Sequence, residues 1–520
     1  MPEAARKLGS IALKPDLDER ELKKKIQDTH TEEIIIGLCG PIGTDIHFVA
    51  DEIGRIVEEK YGYKCILIRL SNFIKQFGSQ KDTEDKFSYY NELISEGNRL
   101  RETNGKSVLA ELAISEIALN REIIRKKSNS EAFASNRVCY IIDSIKNKEE
   151  LQLFRLIYRD LFYFIGVFSN LETRVRNLEK QSISTSDVYK LIDRDSGEEI
   201  QFGQQVSNTF IEADFFLRID QTLAGDITHR LERFISLIFN SEIITPTINE
   251  TAMYQAFAAA KNSACLSRQV GAAITNKNGE ILGVGWNDVP KACGGVYTYS
   301  DRDPLASQDF RCLNLDGGKC FNDEEKDLIR NQLLQTLISN GLIDRENESK
   351  AVEIIKKSRI KELIEFSRAV HAEMHAIITS SQKAGVEVIN GKLYCTTYPC
   401  HNCARHIVAA GIKEVYYIEP YRKSLAIKLH NDSITENEND QDKVKILMFD
   451  GVSPKRFLEL FKIATPRKEN GKKKQANKRE IHPKNTLSLQ AIPLLEKEII
   501  KELKSKNLIT IEDSEEEEKK

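Results

Sequence analysis

The chain has 520 residues, of which 40% are hydrophobic, 30% charged and 8% aromatic, enough apolar material for at least two cores, so a largely disordered or fibrous chain is excluded. It carries 76 basic and 79 acidic residues, a formal charge of −3, so there is no overall attraction to a phosphate backbone and any basic recognition is local. The longest apolar run, Leu161 to Phe168, has eight residues against the roughly 20 needed to cross a bilayer, and the N-terminal residues lack the apolar core of a secretory signal. A soluble, cytoplasmic protein without membrane contact is expected, and its ten cysteines point to metal or catalysis rather than disulfides.

Residues 1–30 read as a polar N-terminal extension. Ile34 to Leu38 then reads as a buried strand, and β-branched runs at Lys64 to Leu70, Val138 to Asp143, Phe162 to Phe168 and Phe215 to Ile219 alternate with helical stretches at Ile46 to Lys60, Leu109 to Lys126 and Glu149 to Arg159. This alternation predicts an α/β domain over 31–240 with a mainly parallel sheet. After Thr245-Pro246 a second α/β domain is expected over 245–465. It begins with a helix from Glu250 to Asn262 and a hairpin (Gly271 to Thr275, Ile281 to Trp286). It ends with a helix from Arg368 to Lys383, a strand from Lys392 to Thr396, a helix from His401 to Ala410 and a strand from Glu414 to Ile418. Between hairpin and helix, residues of about 291–366 read as an insertion rather than core, with charged helices at Glu324 to Ser339 and Lys350 to Phe366. Residues 466–520 read as a charged, solvated tail, basic over 467–484 and acidic in the last ten residues.

Two short motifs carry the chemistry. His371-Ala372-Glu373 opens one helix, and Pro399-Cys400-His401-Asn402-Cys403 joins a strand to the next. Together they form the H-x-E and P-C-x-x-C pattern of zinc nucleobase deaminases. Cys400 and Cys403 lie three apart in a first helical turn, where both sulfurs face one side and the helix dipole favours thiolates. One imidazole and two thiolates leave a fourth tetrahedral position for water, the arrangement of a catalytic zinc. Glu373 is placed beside that water as the proton shuttle. A structural zinc or redox C-x-x-C is the rival reading; the metalloprotease pattern fails because Ala372 separates His371 from Glu373. His375, His401 and His406 read as ordinary packed or surface histidines, and Cys395 as a buried strand cysteine.

A third motif follows the first strand. The loop Gly37-Leu38-Cys39-Gly40-Pro41-Ile42-Gly43-Thr44-Asp45 sits where a phosphate cradle would, but Leu38 stands at the first glycine, Thr44 at the lysine and Asp45 at the Mg-binding hydroxyl. Gly40, Gly43 and Thr44 therefore make a degenerate P-loop whose phosphotransfer is doubtful, and Asp143 stands where a second motif would hold Mg²⁺ through water, or caps a turn.

The stretches CLSRQVGAAI (265–274), Gly285-Trp286-Asn287, SRAVHAEMHAI and LYCTTYPCHNCARHIVAAGIKEVYY resemble deoxycytidylate deaminases over about residues 250–450. The resemblance makes His371, Cys400 and Cys403 the zinc ligands and Glu373 the catalytic proton shuttle. It gives Asn287 the deoxyribose, places the hairpin beginning at Val270-Gly271-Ala272 in the pocket wall and sets Tyr398 beside the base. For Asn287 a plain turn residue is the other reading. It also brings up a second, structural zinc at Cys265, Cys293, Cys312 and Cys320, though none of these forms a C-x-x-C pair and plain thiols are the competing reading.

A P-loop kinase-like domain joined to such a deaminase domain resembles bacterial anti-phage dCTP deaminases, with further matches at FGQQV (202–206), EADFFLRID (212–220) and EPYRKSLAIKLHND (419–432). That resemblance implies deamination of dCTP, and of dCMP, to uracil nucleotides in antiviral defence, homo-oligomers, and in some members restraint by a small RNA. The N-terminal domain is expected to bind a regulatory nucleotide or to dock on the deaminase domain. Rival functions are a polynucleotide cytidine deaminase and a nucleotide kinase with a sensory deaminase domain. Arg268, Arg302, Arg311, Arg422 and Lys423 are the candidates for contacting substrate phosphate.

Overall fold

A computed structural model describes residues 29–78, 85–127, 136–197, 205–220, 224–299, 309–421, 424–474, 477–489 and 491–509. The chain divides into two compact units, one made of the residues up to Asp214, Ile219–Ile244 and Ile463 onward, the other of Phe215–Arg218 and Thr245–Lys462.

In the first unit, β1 (Ile34–Cys39) lies between β3 (Val138–Asp143) and β4 (Phe162–Phe168), and β2 (Lys64–Arg69) lies outside β3, all three pairings being parallel. Strands β1 and β3 are buried along their whole length, which is why they read as continuous apolar runs rather than alternating ones. Helix α1 (Ile46–Tyr61) follows β1 and is capped by Asp45, whose side chain accepts from the Phe48 N–H at 3.3 Å. Leu38, Asp143 and Arg69 fall in one register row, so the carboxyl ends of three strands meet beside the loop at 40–45.

The expected solvated tail is not what residues 463–509 form. The helix Ile492–Ser505 belongs to the first unit and buries Ile492, Glu496 and Leu503. Arg121, on α2 (Val108–Lys127), makes a forked contact with Glu33 (3.0 and 2.6 Å) and also bonds Glu496, whose second oxygen accepts from the Tyr158 hydroxyl at 2.8 Å. Burial pushes the Glu496 carboxyl up and the Arg121 guanidinium pulls it back. The basic run at 467–484 does keep a solvated part, an exposed two-stranded ribbon pairing Lys468–Glu469 with Lys472–Lys473. Most of the N-terminal extension, the acidic end of the chain, and Arg302, Arg422 and Lys423 lie outside the described residues.

The second unit is built on a six-stranded sheet of order β10-β11-β9-β8-β6-β7. The strand β5 (Phe215–Arg218), also in this unit, pairs antiparallel with β12 (Gly451–Val452). Helix α3 (Ile248–Ala260) opens on a capping box of Thr247 and Glu250 and leads to the hairpin β6 (Gly271–Thr275) and β7 (Ile281–Trp286). The sheet continues through β8 (Lys392–Thr397), β9 (Glu414–Glu419), β10 (Ile434–Thr435) and β11 (Val444–Met448). Strand β6 pairs antiparallel with β7 and β8, while β8, β9, β11 and β10 pair parallel in that order. The insertion holds α4 (Phe321–Ser339) and α5 (Glu348–Lys357), the latter ending nine residues earlier than its periodicity predicts.

Helix α6 begins at Ala372 (Ala372–Ala384) rather than at Arg368, with His371 as its N-cap; α7 (His401–Ala409) has Cys400 as its N-cap. Two glycines allow the helices to lie close to the sheet: a Cβ at Gly271 would fall 2.0 Å from the Ala256 carbonyl on α3, and one at Gly285 would fall 2.3 Å from the Ala376 nitrogen on α6.

Glu496→Ala would leave Arg121 with one buried partner in place of two, and a loss of about 3 kcal/mol is expected in the stability of the first unit, read from its denaturant midpoint.

Candidate active site and metal centre

Both ligand-bearing segments are helix starts. His371 and Cys400 cap α6 and α7 in extended backbone, and Cys403 lies on the first turn of α7 with its N–H directed at the Cys400 sulfur (3.4 Å). His371 Nδ1 stands 3.4 Å from Cys400 Sγ and 3.3 Å from Cys403 Sγ, and all three ligand atoms lie within 4.8 Å of one another. A tetrahedral zinc with bonds of about 2.0 Å to nitrogen and 2.3 Å to sulfur separates such atoms by about 3.5 Å, so this donor set fits the ion. The Cys400 thiol is held down to about 4 by hydrogen bonding from Cys403 and from His371, while Cys403 is pushed up by the same sulfur pair and by burial. His371 is correspondingly raised to about 9 by its bond to Cys400. A thiolate beside an imidazolium is a charge arrangement that a divalent ion can replace.

Glu373, two residues into the same helix start, is 4% exposed, and burial pushes its carboxyl up while His371 pulls it down. A carboxyl raised in this way holds a proton more readily than a solvent-exposed one, as a proton-transferring group requires. These groups line a cavity of about 440 Å³ together with Tyr398, Thr397 and Asn287. The Tyr398 ring meets Tyr417 edge-on at 4.8 Å, and its hydroxyl donates to Glu436 at 3.2 Å.

Asn287 reaches the cavity, but its carboxamide is first a scaffold: Oδ1 accepts from the Val270 N–H (2.7 Å) and Nδ2 donates to the Arg268 carbonyl (2.9 Å). One lone pair and one N–H remain for a ligand. Of the hairpin start Val270-Gly271-Ala272, Val270 lines the cavity, while Gly271 and Ala272 are buried in β6, where the missing Cβ of Gly271 makes room for α3. Of the four further cysteines, Cys265, Cys312 and Cys320 line the cavity and Cys293 is exposed; among the described residues they form no second group of metal-ligating atoms. His375 packs edge-on against Trp286 with Nδ1 beside that residue's backbone (3.2 Å to N, 3.0 Å to O), and His406 Nδ1 stands 2.7 Å from the Asn402 carbonyl, both local contacts. Arg311 is held by Asp309 through forked bonds of 2.9 and 2.6 Å; Arg268, paired with Glu419 at 3.2 Å, is on the cavity wall.

Part of the lining was missed from sequence: Phe321, Lys326, Lys361 and Arg368 come from the insertion and its return to α6. The available signal was position, since the insertion lies between the Asn287 and His371 motifs and must leave and re-enter beside both. It does so through a bridge in which the Val370 N–H donates to the Asp288 carbonyl at 2.9 Å.

Residues 246–419 match the model of the cytidine and deoxycytidylate deaminase zinc-binding region. The deoxycytidylate deaminase of Enterobacteria phage T2 is 30% identical over 179 residues, 34% of this chain and 81% of that protein. Through its second unit, the chain belongs to the deoxycytidylate deaminase family. A shorter likeness to this family unit is found in ComE operon protein 2 of Bacillus subtilis, 48% identical over 56 residues, which is 11% of this chain and 29% of that protein. Among solved structures, a cyanophage S-TIM5 dCMP deaminase in complex with dCMP and dUMP is 22% identical, with 40% of this chain and 99% of that chain covered and a TM-score of 0.23.

Cys400→Ser removes a ligand and the thiolate that His371 pairs with, so zinc measured by elemental analysis should fall from stoichiometric to a small fraction, with the rest of the second unit folded by circular dichroism.

Proposed function

We propose that the second unit hydrolyses free deoxycytidine nucleotides, converting dCTP to dUTP and dCMP to dUMP with release of ammonia, and that in the cell this lowers the dCTP pool available to an infecting phage. The observation that carries the reading is that His371, Cys400 and Glu373 line one cavity of about 440 Å³, with Cys403 beside the first two at metal-binding distance. The thiolates of Cys400 and Cys403 and the imidazole of His371 would hold a zinc ion, which would supply Lewis-acid activation of the attacking water. Glu373 takes a proton from that water and gives it to the ring nitrogen N3 as oxygen adds to C4; it then takes the second proton from the C4 hydroxyl and gives it to the departing amine, so that the C4–N bond breaks, ammonia leaves and C4 keeps the oxygen as a carbonyl. Tyr398 offers a ring face to the base, and the unused half of the Asn287 carboxamide can hold a sugar hydroxyl.

The first unit is proposed to be regulatory rather than a phosphotransferase. Asp195, fully buried, accepts the Ile42 N–H at 2.7 Å and is itself bound by Lys146 at 2.5 Å, so a carboxylate of the chain already occupies an amide of the loop at 40–45. The Ile42 carbonyl is taken by Arg174 (2.7 Å) and that of Gly43 by Asn177 (3.0 Å). Asp143 is bonded to His47 and lies 3.7 Å from Arg69, contacts that compete with a role in holding Mg²⁺.

Incubation of the zinc-loaded protein with dCTP, dCMP, CTP and cytidine-containing oligonucleotides, followed by chromatography, is expected to give dUTP and dUMP from the free deoxynucleotides. Conversion of oligonucleotides alone would transfer the protein to polynucleotide editing. Glu373→Ala should retain zinc and lose about 10²- to 10⁴-fold in rate. Supplied with ATP and deoxynucleoside monophosphates, the protein is expected to form no diphosphates; their appearance would restore the kinase reading of the first unit.

A further inference from the structure

The cavity of the second unit has two walls of different origin. One, from the motifs around Asn287, His371 and Cys400, holds the groups that handle the base, and its basic residue Arg268 is paired with Glu419 and lies over the Tyr421 ring at 5.9 Å. The other is brought by the insertion and the segment leading back from it, and adds three cations: Lys326, Lys361 and Arg368. Lys326 is 8% exposed and is placed within 3.3 Å of Asp323 one turn away on α4. Arg368 lies over the Phe321 ring at 5.1 Å with one N–H on the Phe310 carbonyl (3.2 Å), which fixes the guanidinium plane and leaves other N–H groups for an anion. The first turn of α4, whose N-cap Cys320 makes no side-chain cap bond, faces the same space through Phe321, Asn322 and Asp323.

Conversion at Glu373 requires only the base to be seated, so nothing in the proton transfers accounts for the three cations that the insertion and its return add to the lining. We propose that this wall is a polyphosphate subsite: Lys326, Lys361 and Arg368 receive the β- and γ-phosphates of a nucleoside triphosphate whose base lies at Glu373, while Arg268 serves the phosphate nearest the sugar. The inference rests on the deaminase reading above and adds to it the part of the chain that selects triphosphate over monophosphate. Asp323, 3.3 Å from Lys326, and Glu362 belong to the same lining and offset part of its positive charge before the ligand arrives.

The test is steady-state kinetics of the full-length zinc-loaded protein on dCMP and on dCTP with Mg²⁺, for the wild type, Lys361→Ala, Arg368→Ala, the double variant, and the charge-preserving Lys361→Arg and Arg368→Lys. In the double variant kcat/KM for dCTP is expected to fall about 10- to 100-fold, mostly through KM, with dCMP near its wild-type value and the charge-preserving variants partly restored. Equal losses on both substrates at unchanged zinc content and unfolding temperature would overturn the proposal by reducing the wall to a structural role. No loss on either, or a wild type that converts dCMP but is neither served nor inhibited by dCTP, would also overturn it. A wild type that converts neither nucleotide would instead overturn the deaminase reading itself, so the two failures are distinct.

Discussion

The site depends on how closely α6 can approach β7. Gly285 presents no side chain where a Cβ would meet the Ala376 nitrogen at 2.3 Å and the Ala372 carbonyl at 2.6 Å, and the two alanines opposite are fully buried. That contact fixes the start of α6, and with it the positions of both the imidazole of His371 and the carboxyl of Glu373. The cysteines arrive from a different direction, at the end of β8, whose register against β6 is set by the pairing of Cys395 with Ala272. Packing between backbone and backbone is stiff, because no side-chain rotamer can relax it. Three donor atoms can therefore sit at zinc-binding distance although they come from two helices.

The features legible in the sequence were the local ones. Cys400 and Cys403 share a helical turn whatever surrounds them, and His371 with Glu373 needs only a helix start, so spacing alone placed them together. The strands β1 and β3 were legible because burial on both faces makes them uniformly apolar. At the start of the hairpin Val270 reaches the cavity while Gly271 and Ala272 are buried, because facing in a strand is decided by what packs on it, here α3. The insertion looked peripheral because its helices are charged, and charge along a helix does not reveal that one end of it meets a cavity. The helix Ile492–Ser505 was hidden in the same way. Its buried Glu496 reads as a solvent residue until Arg121 and Tyr158 are found opposite it, and such pairing across hundreds of residues leaves no local trace.

The two units treat charge differently. In the first, the buried carboxylate of Asp195 is met by Lys146 and by the Ile42 N–H of the loop at 40–45, and a second acid, Asp143, is bonded to His47, so each carboxylate has its partner within the chain. In the second unit the buried sulfurs and carboxyl are gathered around an open cavity, so their electrostatic demand is met by what enters it.

The first unit is discontinuous in the chain: Arg121 waits for a carboxylate at Glu496, and the whole of 245–462 is synthesised between them. On the ribosome the second unit can therefore complete its sheet while the helix that covers Arg121 has not yet been made. The chain segments of the second unit are all made before the last helix of the first, so the order of synthesis sets which of the two can be complete without its counterpart.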